Sequence, residues 1–423
     1  MIWKDKSLSV GFFLAYRELK RSNPWTTALI VFVMTLTFFN MNLIGGVLIG
    51  IAQGVLGSYQ QYYSSDVLIT PSIQKPTITN TSSLLQVTRD LPTFKAVSVR
   101  QTTPALIEYG YQNKLRLTDL SENTTGILTG INPKDEDAVT DISSTLVAGS
   151  FLTPSDVNEV VLGSNLIKKY ASVRGAANNI GENILKTPDV GSKIRITVNG
   201  KQREVIVKGI FSTDGTNIDN RIFMVDTVAR ELMGNTDLAA NEIAVALIPN
   251  ASAVKAKQYI ESNAPNAEEI LVQTARDALP GGITDIITTF TILGNIVGGI
   301  ALIVGSITIF IVIFVNAVTR RKYIGILKGI GISRRAIEIS YVIQALFYAI
   351  AGILISSALA LWLFVPYFDL HPINYPIAPG SLAITSTDLL IRGIILTITS
   401  FISGFLPAWL VTRQNTLDAI LGR

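Results

Sequence analysis

Few residues in this 423-residue chain have the type and spacing that covalent or metal chemistry needs. There is no cysteine, which excludes thiolate nucleophiles, thiolate metal sites and disulfides, and the one histidine, His371, excludes a multi-histidine metal centre within the chain. Ser164 and Lys168 lie four apart in NEVVLGSNLIKKYA, which reads as a strand followed by an outward-facing helix. A Ser–Lys nucleophile and base can have that spacing, but so does any exposed helix surface, and the surface is the better reading. The run KDEDAVTD groups Asp135, Glu136, Asp137 and Asp141. Oxygen ligands at that density suit calcium, yet the EF-hand spacing and its glycine are missing, and the run reads as a solvated acidic loop. No GxxxxGK[ST], GxSxG or HExxH pattern occurs, so the chain does not hold ATP through a phosphate loop and has no recognisable hydrolase site. Gly329 and Gly331 follow a basic stretch, not a strand, which argues against a dinucleotide fingerprint. No catalytic residue, cofactor or metal is assigned to this chain.

What stands out is a stretch suited to contact. Thr319–Ser340, TRRKYIGILKGIGISRRAIEIS, lies between two long apolar runs. It opens on Arg320, Arg321 and Lys322 and closes on Arg334 and Arg335, yet keeps Ile324, Ile326, Leu327, Ile330 and Ile332 outside any span. Apolar residues in a basic loop must lie on a membrane surface or press against another protein.

The elements that would position this stretch follow from composition. The chain is 48% hydrophobic and 16% charged, against about 25% charged for a soluble domain. The charge deficit is concentrated in four runs, which gives the fold class: a membrane protein with four transmembrane helices, arranged as one plus three, and a large extracytoplasmic α+β domain between the first and second. Residues 1–24 are a basic amphipathic lead-in, with Phe12, Phe13, Tyr16 and Leu19 at helical spacing, suited to lie on membrane lipid at the cytoplasmic interface. The first span is expected over 25–55, entered through Asn23 and Pro24. Its Gly46, Gly50 and Gly54 lie four apart and offer a side-chain-free face for another helix. Residues 281–318 form a stalk and second span, in which the apolar run from about Ile283 to Val318 would reach about 54 Å, longer than a hydrocarbon core of about 30 Å, with Gly294, Gly298 and Gly299 on a second small-residue face. A loop over 319–335, a third span over 336–364, an outer loop over 365–388, a fourth span over 389–411 and a tail over 412–423 complete the membrane part. The outer loop holds four prolines and no Lys or Arg. Arg392, near the start of the fourth span, is expected to snorkel to the outer interface. Asp285 and Glu338 are the acidic candidates of the spans and sit at their ends, which counts against an ion-coupled transporter.

Residues 56–280 alternate strand and helix patterns. SDVLITPS, KAVSVRQTTPALIEYG, NKLRLTDL, TGILTGINP, SKIRITVNGKQREVIVKGIFST, RIFMVD, NEIAVALIPN and EEILVQTARD read as strands, with helices near Leu84–Leu91 and Ser252–Asn263. Asn199-Gly200 predicts a type I′ hairpin turn. The order suggests one α+β subdomain, 56–125 with 235–280, interrupted by a β-rich insert over 126–234. Clustered cations in 1–24, 319–335 and the tail place both termini and the 319–335 loop in the cytoplasm of a plasma or inner membrane, with the large domain outside. A net charge of +4 over this length carries no nucleic-acid meaning.

With these elements in order, the residues resemble the permeases of ABC transporters of the MacB, LolC/LolE and FtsX type, which work by mechanotransmission. The resemblance rests on Arg321-Lys322-Tyr323, Ile324-Gly325-Ile326-Leu327-Lys328 and Gly329-Ile330-Gly331-Ile332-Ser333, on the ending GFLPAWLVTRQNTLDAI (Gly404 to Ile420), and on the entry LAYRELKRSNPWTTAL. The Glu-Arg-Thr-Arg-Glu-Ile-Gly run common before that core is replaced here, and its acidic residues are absent. The resemblance implies an ATP-coupling contact through Tyr323, Ile324, Gly325, Ile326, Leu327, Lys328, Ile330 and Gly331. It implies two copies of a separate ATPase subunit that carries ATP and magnesium. It also implies a second permease copy, in a homo- or heterodimer, and an extracytoplasmic adaptor or substrate-binding protein. The expected role is export or extraction of a lipoprotein, peptide or drug. The alternative from another class is a membrane-anchored extracytoplasmic sensor or adhesion receptor without an ATPase partner.

Overall fold

In the computed structural model the described residues are 5–73, 75–113, 122–171, 184–213, 218–235, 238–265, 267–371, 373–374, 379–380 and 382–413. They form two compact units: Met1–Ala52 with Asp285–Ile373 and Gly380–Arg423, and Gln53–Thr284 with Asn374–Pro379. The chain opens with α1 (Asp5–Arg21) and α2 (Pro24–Tyr59). Between them the Asn23 side-chain oxygen accepts from the Trp25 N–H at 3.0 Å, and Pro24 takes a first-turn position where its missing N–H costs nothing. α2 runs past the expected limit of 55 and ends in a π-helical turn, Gln60–Ser64.

The second unit then runs β1 (Val67–Pro71), α3 (Thr81–Arg89), β2 (Phe94–Tyr109), β3 (Glu122–Ile131), α4 (Pro133–Thr140), β4 (Leu146–Gly149) and β5 (Glu159–Gly163). It continues through β6 (Lys193–Val198), β7 (Lys201–Phe211), β8 (Arg221–Val225), α5 (Asp226–Met233), β9 (Glu242–Leu247), α6 (Ala253–Asn263) and β10 (Ile270–Thr274). Strands β10-β1-β9-β2 are antiparallel neighbours, so β1–α3–β2 and β9–α6–β10 interleave as a split βαβ pair. Their core is Val67, Ile69, Leu84, Ile243, Val245 and Ile260.

The insert begins inside β2. Phe94 to Arg100 pair with β9, but Gln101 to Tyr109 pair with β3, and Leu106 to Tyr109 also pair with β6. The path β3-β8-β5-β7-β6 returns to β2, so six strands close into a ring around Ile107, Leu128, Val160, Ile194, Val207 and Ile222. This corrects the expected division at 125/126: the change of partner falls at Arg100/Gln101, within one uninterrupted strand. No turn residue marks that point, because one strand serves both parts. The β6–β7 hairpin turns on Asn199 (φ 50°) and Gly200 (φ 82°), the two left-handed residues that a type I′ turn requires. The acidic run expected to be a solvated loop is the helix α4, with Pro133 in its first turn and Asn132 accepting from the Lys134 N–H at 3.1 Å. Most of the expected strand NKLRLTDL lies outside the described residues.

The first unit resumes with α7 (Gly281–Thr319), α8 (Arg321–Gly329) and α9 (Arg334–Leu359), which passes through a π-helical turn, Ala360–Phe364, into α10 (Val365–Leu370); α11 (Ser386–Thr412) follows. Among the described residues four helical stretches are long and apolar enough to cross a membrane: Pro24–Ser64, Ile283–Thr319, Arg334–Leu370 and Ser386–Thr412. Val365–Leu370 was expected in the outer loop and is helical, because Pro366 falls in a first turn, where proline is tolerated.

Helix association in lipid relies on close packing, since lipid tails are as apolar as the helices. α2 offers Ile30, Met34 and Phe38 at four-residue steps, and α7 offers Ile309, Ile313 and Ala317 likewise, against Tyr341 and Ala345 of α9 and Leu396 and Ala408 of α11. The tightest approaches are at glycines. A Cβ on Gly404 would stand 2.5 Å from the Ala345 Cβ, and one on Gly352 would stand 2.8 Å from the Met34 Cβ. Gly46 faces no helix; it meets Ile384 and Leu382, and its carbonyl accepts from the Ala383 N–H at 3.1 Å. A Cβ on Gly294 would meet Gly45 and Leu48, and one on Gly298 would meet Met41, at an ordinary 3.8 Å. Gly50 is buried and Gly54 half-buried. Arg392 does not snorkel outward. Its Nη1 donates to the Met41 carbonyl at 3.1 Å and to Asn42 Oδ1 at 3.3 Å, in space left by Gly45. A helix carbonyl and an amide thus hold one end of the half-buried guanidinium against α2.

Gly404→Leu is expected to destabilise the bundle by about 1–3 kcal/mol through overpacking, seen as a lower thermal midpoint of the detergent-solubilised chain. Gly299→Ala, a helix-interior site with nothing within 4 Å, should not lower the midpoint.

Candidate functional site

The stretch that sequence singles out becomes a short helix with a defined stop at each end. α7 breaks at Arg320 (φ −99°, ψ 17°), and α8 starts one residue later. At its far end the Ile332 N–H donates to the Leu327 carbonyl and the Gly331 N–H to the Lys328 carbonyl, both over 3.0–3.1 Å. With Gly331 at φ 94°, these two bonds make a Schellman cap, which explains a glycine there without any nucleotide. Ser333 then caps α9, its hydroxyl accepting from the Ala336 N–H.

The eight residues of the expected contact set separate by side. Tyr323, Ile326 and Ile330 are 70%, 52% and 71% exposed, and their spacing places them on one helical face. Ile324 is 3% exposed and belongs to the bundle core, Gly325 is buried beside it, and Leu327 packs against that core. Ile324 therefore cannot serve in a contact face: the helical period turns it toward the bundle when Tyr323 and Ile326 point away. Lys328 Nζ donates to the Thr412 carbonyl at 3.1 Å, tying α8 to the last turn of α11. Arg334 Nε donates to Glu338 Oε1 at 2.8 Å, and the Thr412 hydroxyl donates to the same oxygen at 2.8 Å. Glu338 thus joins helix ends, and Asp285 is exposed at the start of α7.

α1 is a second part of the site that sequence placed only on the lipid. Its Gly11 meets Ile339 and the Ala336 carbonyl of α9 so closely that a Cβ would fall 2.7 Å from Ile339, and Ala15, one turn on, is fully buried. The pairing of two small residues one turn apart was the available signal. Glu18 on the same helix accepts from Gln344 Nε2 and stands 3.5 Å from Arg320.

The remaining chemical candidates take structural roles. Ser164 lies in a buried 3-10 turn, not on a helix, and its hydroxyl donates to Ser212 and Asp219, while Lys168 is exposed; the two do not meet. The turn is buried because Leu166 and Ile167 close the ring core. Among the described residues no group of three His, Asp or Glu side chains is placed to hold a metal.

In the acidic run, Glu136 is 1% exposed and takes both the Nε and Nη2 of the equally buried Arg100, at 2.8 and 2.7 Å. Arg221 Nη2 donates to Glu242 at 2.9 Å, and Arg100 lies 3.5 Å from Glu242. Tyr63, in the π-helical turn, donates its hydroxyl to Glu242 at 2.8 Å and accepts from Arg100 at its carbonyl at 2.7 Å, with both guanidinium groups over its ring. Burial pushes the Glu242 carboxyl up, but Arg221 and then Arg100 outweigh it and hold the group below the ordinary carboxylate range.

These elements define a multi-pass membrane protein with four helices long and apolar enough to span, a short helix between the second and third of them, and a separate unit built on a ten-stranded sheet. Residues 295–416 match the family model described as FtsX-like permease C-terminal. A relative from Methanocaldococcus jannaschii, described as an uncharacterized ABC transporter permease, is 27% identical over 262 residues. That match covers 60% of this chain and 63% of the relative, less than two thirds of its length. Among solved structures, the periplasmic region of MacB from Actinobacillus actinomycetemcomitans aligns at 13% identity and a TM-score of 0.33, over 51% of this chain and 92% of that one.

Glu136→Ala leaves Arg100 charged and buried without its bidentate partner, and is expected to cost about 3–5 kcal/mol, read by pulse proteolysis of the full chain in urea. The contribution of Glu242 is present above its unfolded pKa of 4.5 and drains away as pH falls through the depressed folded value. Glu242→Gln should therefore flatten the acid limb of the stability profile while lowering stability at neutral pH.

Proposed function

We propose that this chain is the membrane subunit of an ABC transporter in which ATP hydrolysis on separate subunits drives movement of the α+β unit. The observation that carries the reading is the exposed apolar face of α8, Tyr323, Ile326 and Ile330, on a helix held between two spans. Such a face suits a groove on another protein. In this reading two ATPase copies with ATP and magnesium bind from the cytoplasm, and two permease copies pair. The clustered cations of the lead-in and of 319–335 favour placing the termini and α8 inside and the α+β unit outside. Closure of the ATPases pushes on α8, and α7, unbroken over 39 residues, carries the push outward. Extraction or export of a lipoprotein, peptide or drug, with or without an adaptor, is the corresponding task.

Ile326→Asp and Ile330→Asp are expected to reduce permease-stimulated ATPase activity at least tenfold, to the level of the ATPase alone, while the α+β unit keeps its protease resistance. Full stimulation in both variants overturns the reading. Failure of any ATPase to co-purify in gentle detergent would favour a membrane-anchored receptor instead.

A further inference from the structure

A groove between α1 and α8 gathers charge that the coupling reading leaves unused. It measures about 1130 Å³, and Arg17 and Arg21 line it from α1 while Arg320, Arg321 and Lys322 line it from the α7–α8 junction. Among the described lining residues the one carboxylate is Glu18, and it already accepts from Gln344 beside Arg320, so Arg17, Arg21 and Lys322 carry the positive charge of the groove. The groove is therefore strongly positive. Apart from Thr319, its remaining wall is apolar: Leu14, Val318, Tyr323, Ile326 and Leu327.

The position of the groove selects the ligand. The spanning stretch of α7 ends at Thr319 and that of α2 begins at Pro24, so the groove opens at the level where two spans reach the membrane surface. Beside it α1 exposes Leu8, Phe12, Phe13 and Tyr16, the side chains of a helix bedded in the headgroup layer. A soluble anion would use the cations and leave the apolar wall wet, and an apolar chain alone would leave Arg17, Arg21 and Lys322 without a counter-charge. A lipid with an anionic phosphate headgroup meets both: guanidinium forks match phosphate oxygens, and basic pockets between spanning helices suit such headgroups. The volume fits a headgroup with its glycerol and upper acyl carbons.

We propose that this groove is a binding site for an anionic phospholipid, its phosphate held between Arg17 and Arg21 of α1 and the Arg320–Lys322 turn, and its acyl stem against Leu14 and Val318. The assignment rests on the membrane position of the spans and is independent of any ATPase.

The test uses the full chain purified in mild detergent, with retained lipid read by native mass spectrometry after titration with phosphatidylglycerol or phosphatidylcholine. The native chain should retain phosphatidylglycerol preferentially, and Arg17→Gln/Arg21→Gln/Lys322→Gln should lower that preference at least about tenfold, given the share each cation contributes near a charged headgroup. Monodisperse elution and unchanged phosphatidylcholine retention show that the variant is folded; if it does not fold, Lys322→Gln alone should still lower the preference measurably. Equal preference in native and variant chains overturns the proposal. Displacement of the lipid by millimolar glycerol 1-phosphate or inorganic phosphate also overturns it, in favour of a soluble anion. Ile330→Asp, outside the groove, should lose ATPase stimulation and keep the lipid, so the two readings fail separately.

Discussion

Two guanidinium groups taken out of water set the terms for the α+β unit. Arg100 and Arg221 are buried, and a buried charge is tolerated only when paired and hydrogen-bonded throughout. Glu136 from α4, Glu242 from the start of β9, and the ring, hydroxyl and carbonyl of Tyr63 supply those partners. Each comes from a different element, and Arg100 itself sits where β2 changes partner from β9 to β3. The split βαβ part and the closed ring are therefore joined at a seam whose members cannot be altered singly. Apolar packing would hold the same seam more cheaply, but it would tolerate a slip of register; five interlocked polar groups do not.

The membrane unit is built on the opposite principle. Its interior is mainly apolar, and three of its charged groups near helix ends are each held by partners. Arg392 is held by the Met41 carbonyl and Asn42, Glu18 by Gln344 and Arg320, and Glu338 by Arg334 and Thr412. Between those ends the helices rely on contact distance, which is why single glycines at 352 and 404 matter more than the repeated glycines of α2.

How much of this was legible in the sequence depended on how local the signal was. The four spans, the β6–β7 hairpin and the amphipathic character of α8 are carried by neighbouring residues, and periodicity alone exposes them. The helix α8 was legible as a segment but its exposed side was not: Ile324 and Ile326 are equally apolar, and only the position of the bundle buries one and exposes the other. The acidic run misled because its four carboxylates are local while the partner of Glu136 lies 36 residues upstream. Gly352 and Gly404 carried no repeat to mark them, and the repeat of Gly46, Gly50 and Gly54 did not reveal that Gly46 meets an extended segment.

The missing acidic residues before the Ile-Gly-Ile-Leu core have a structural counterpart. Cations at a helix junction need a carboxylate nearby to fix their geometry, and here Glu18 provides one to Arg320 from α1 instead of from the loop itself. The consequence is mechanical. α8 is braced by α1 through Arg320 at its start, by the end of α11 through its own Lys328, and by Ile324 in the core. A force applied to Tyr323, Ile326 and Ile330 would meet all three supports at once. Moving α8 then requires moving the helices that hold it, which is the property a coupling element needs and a flexible loop lacks.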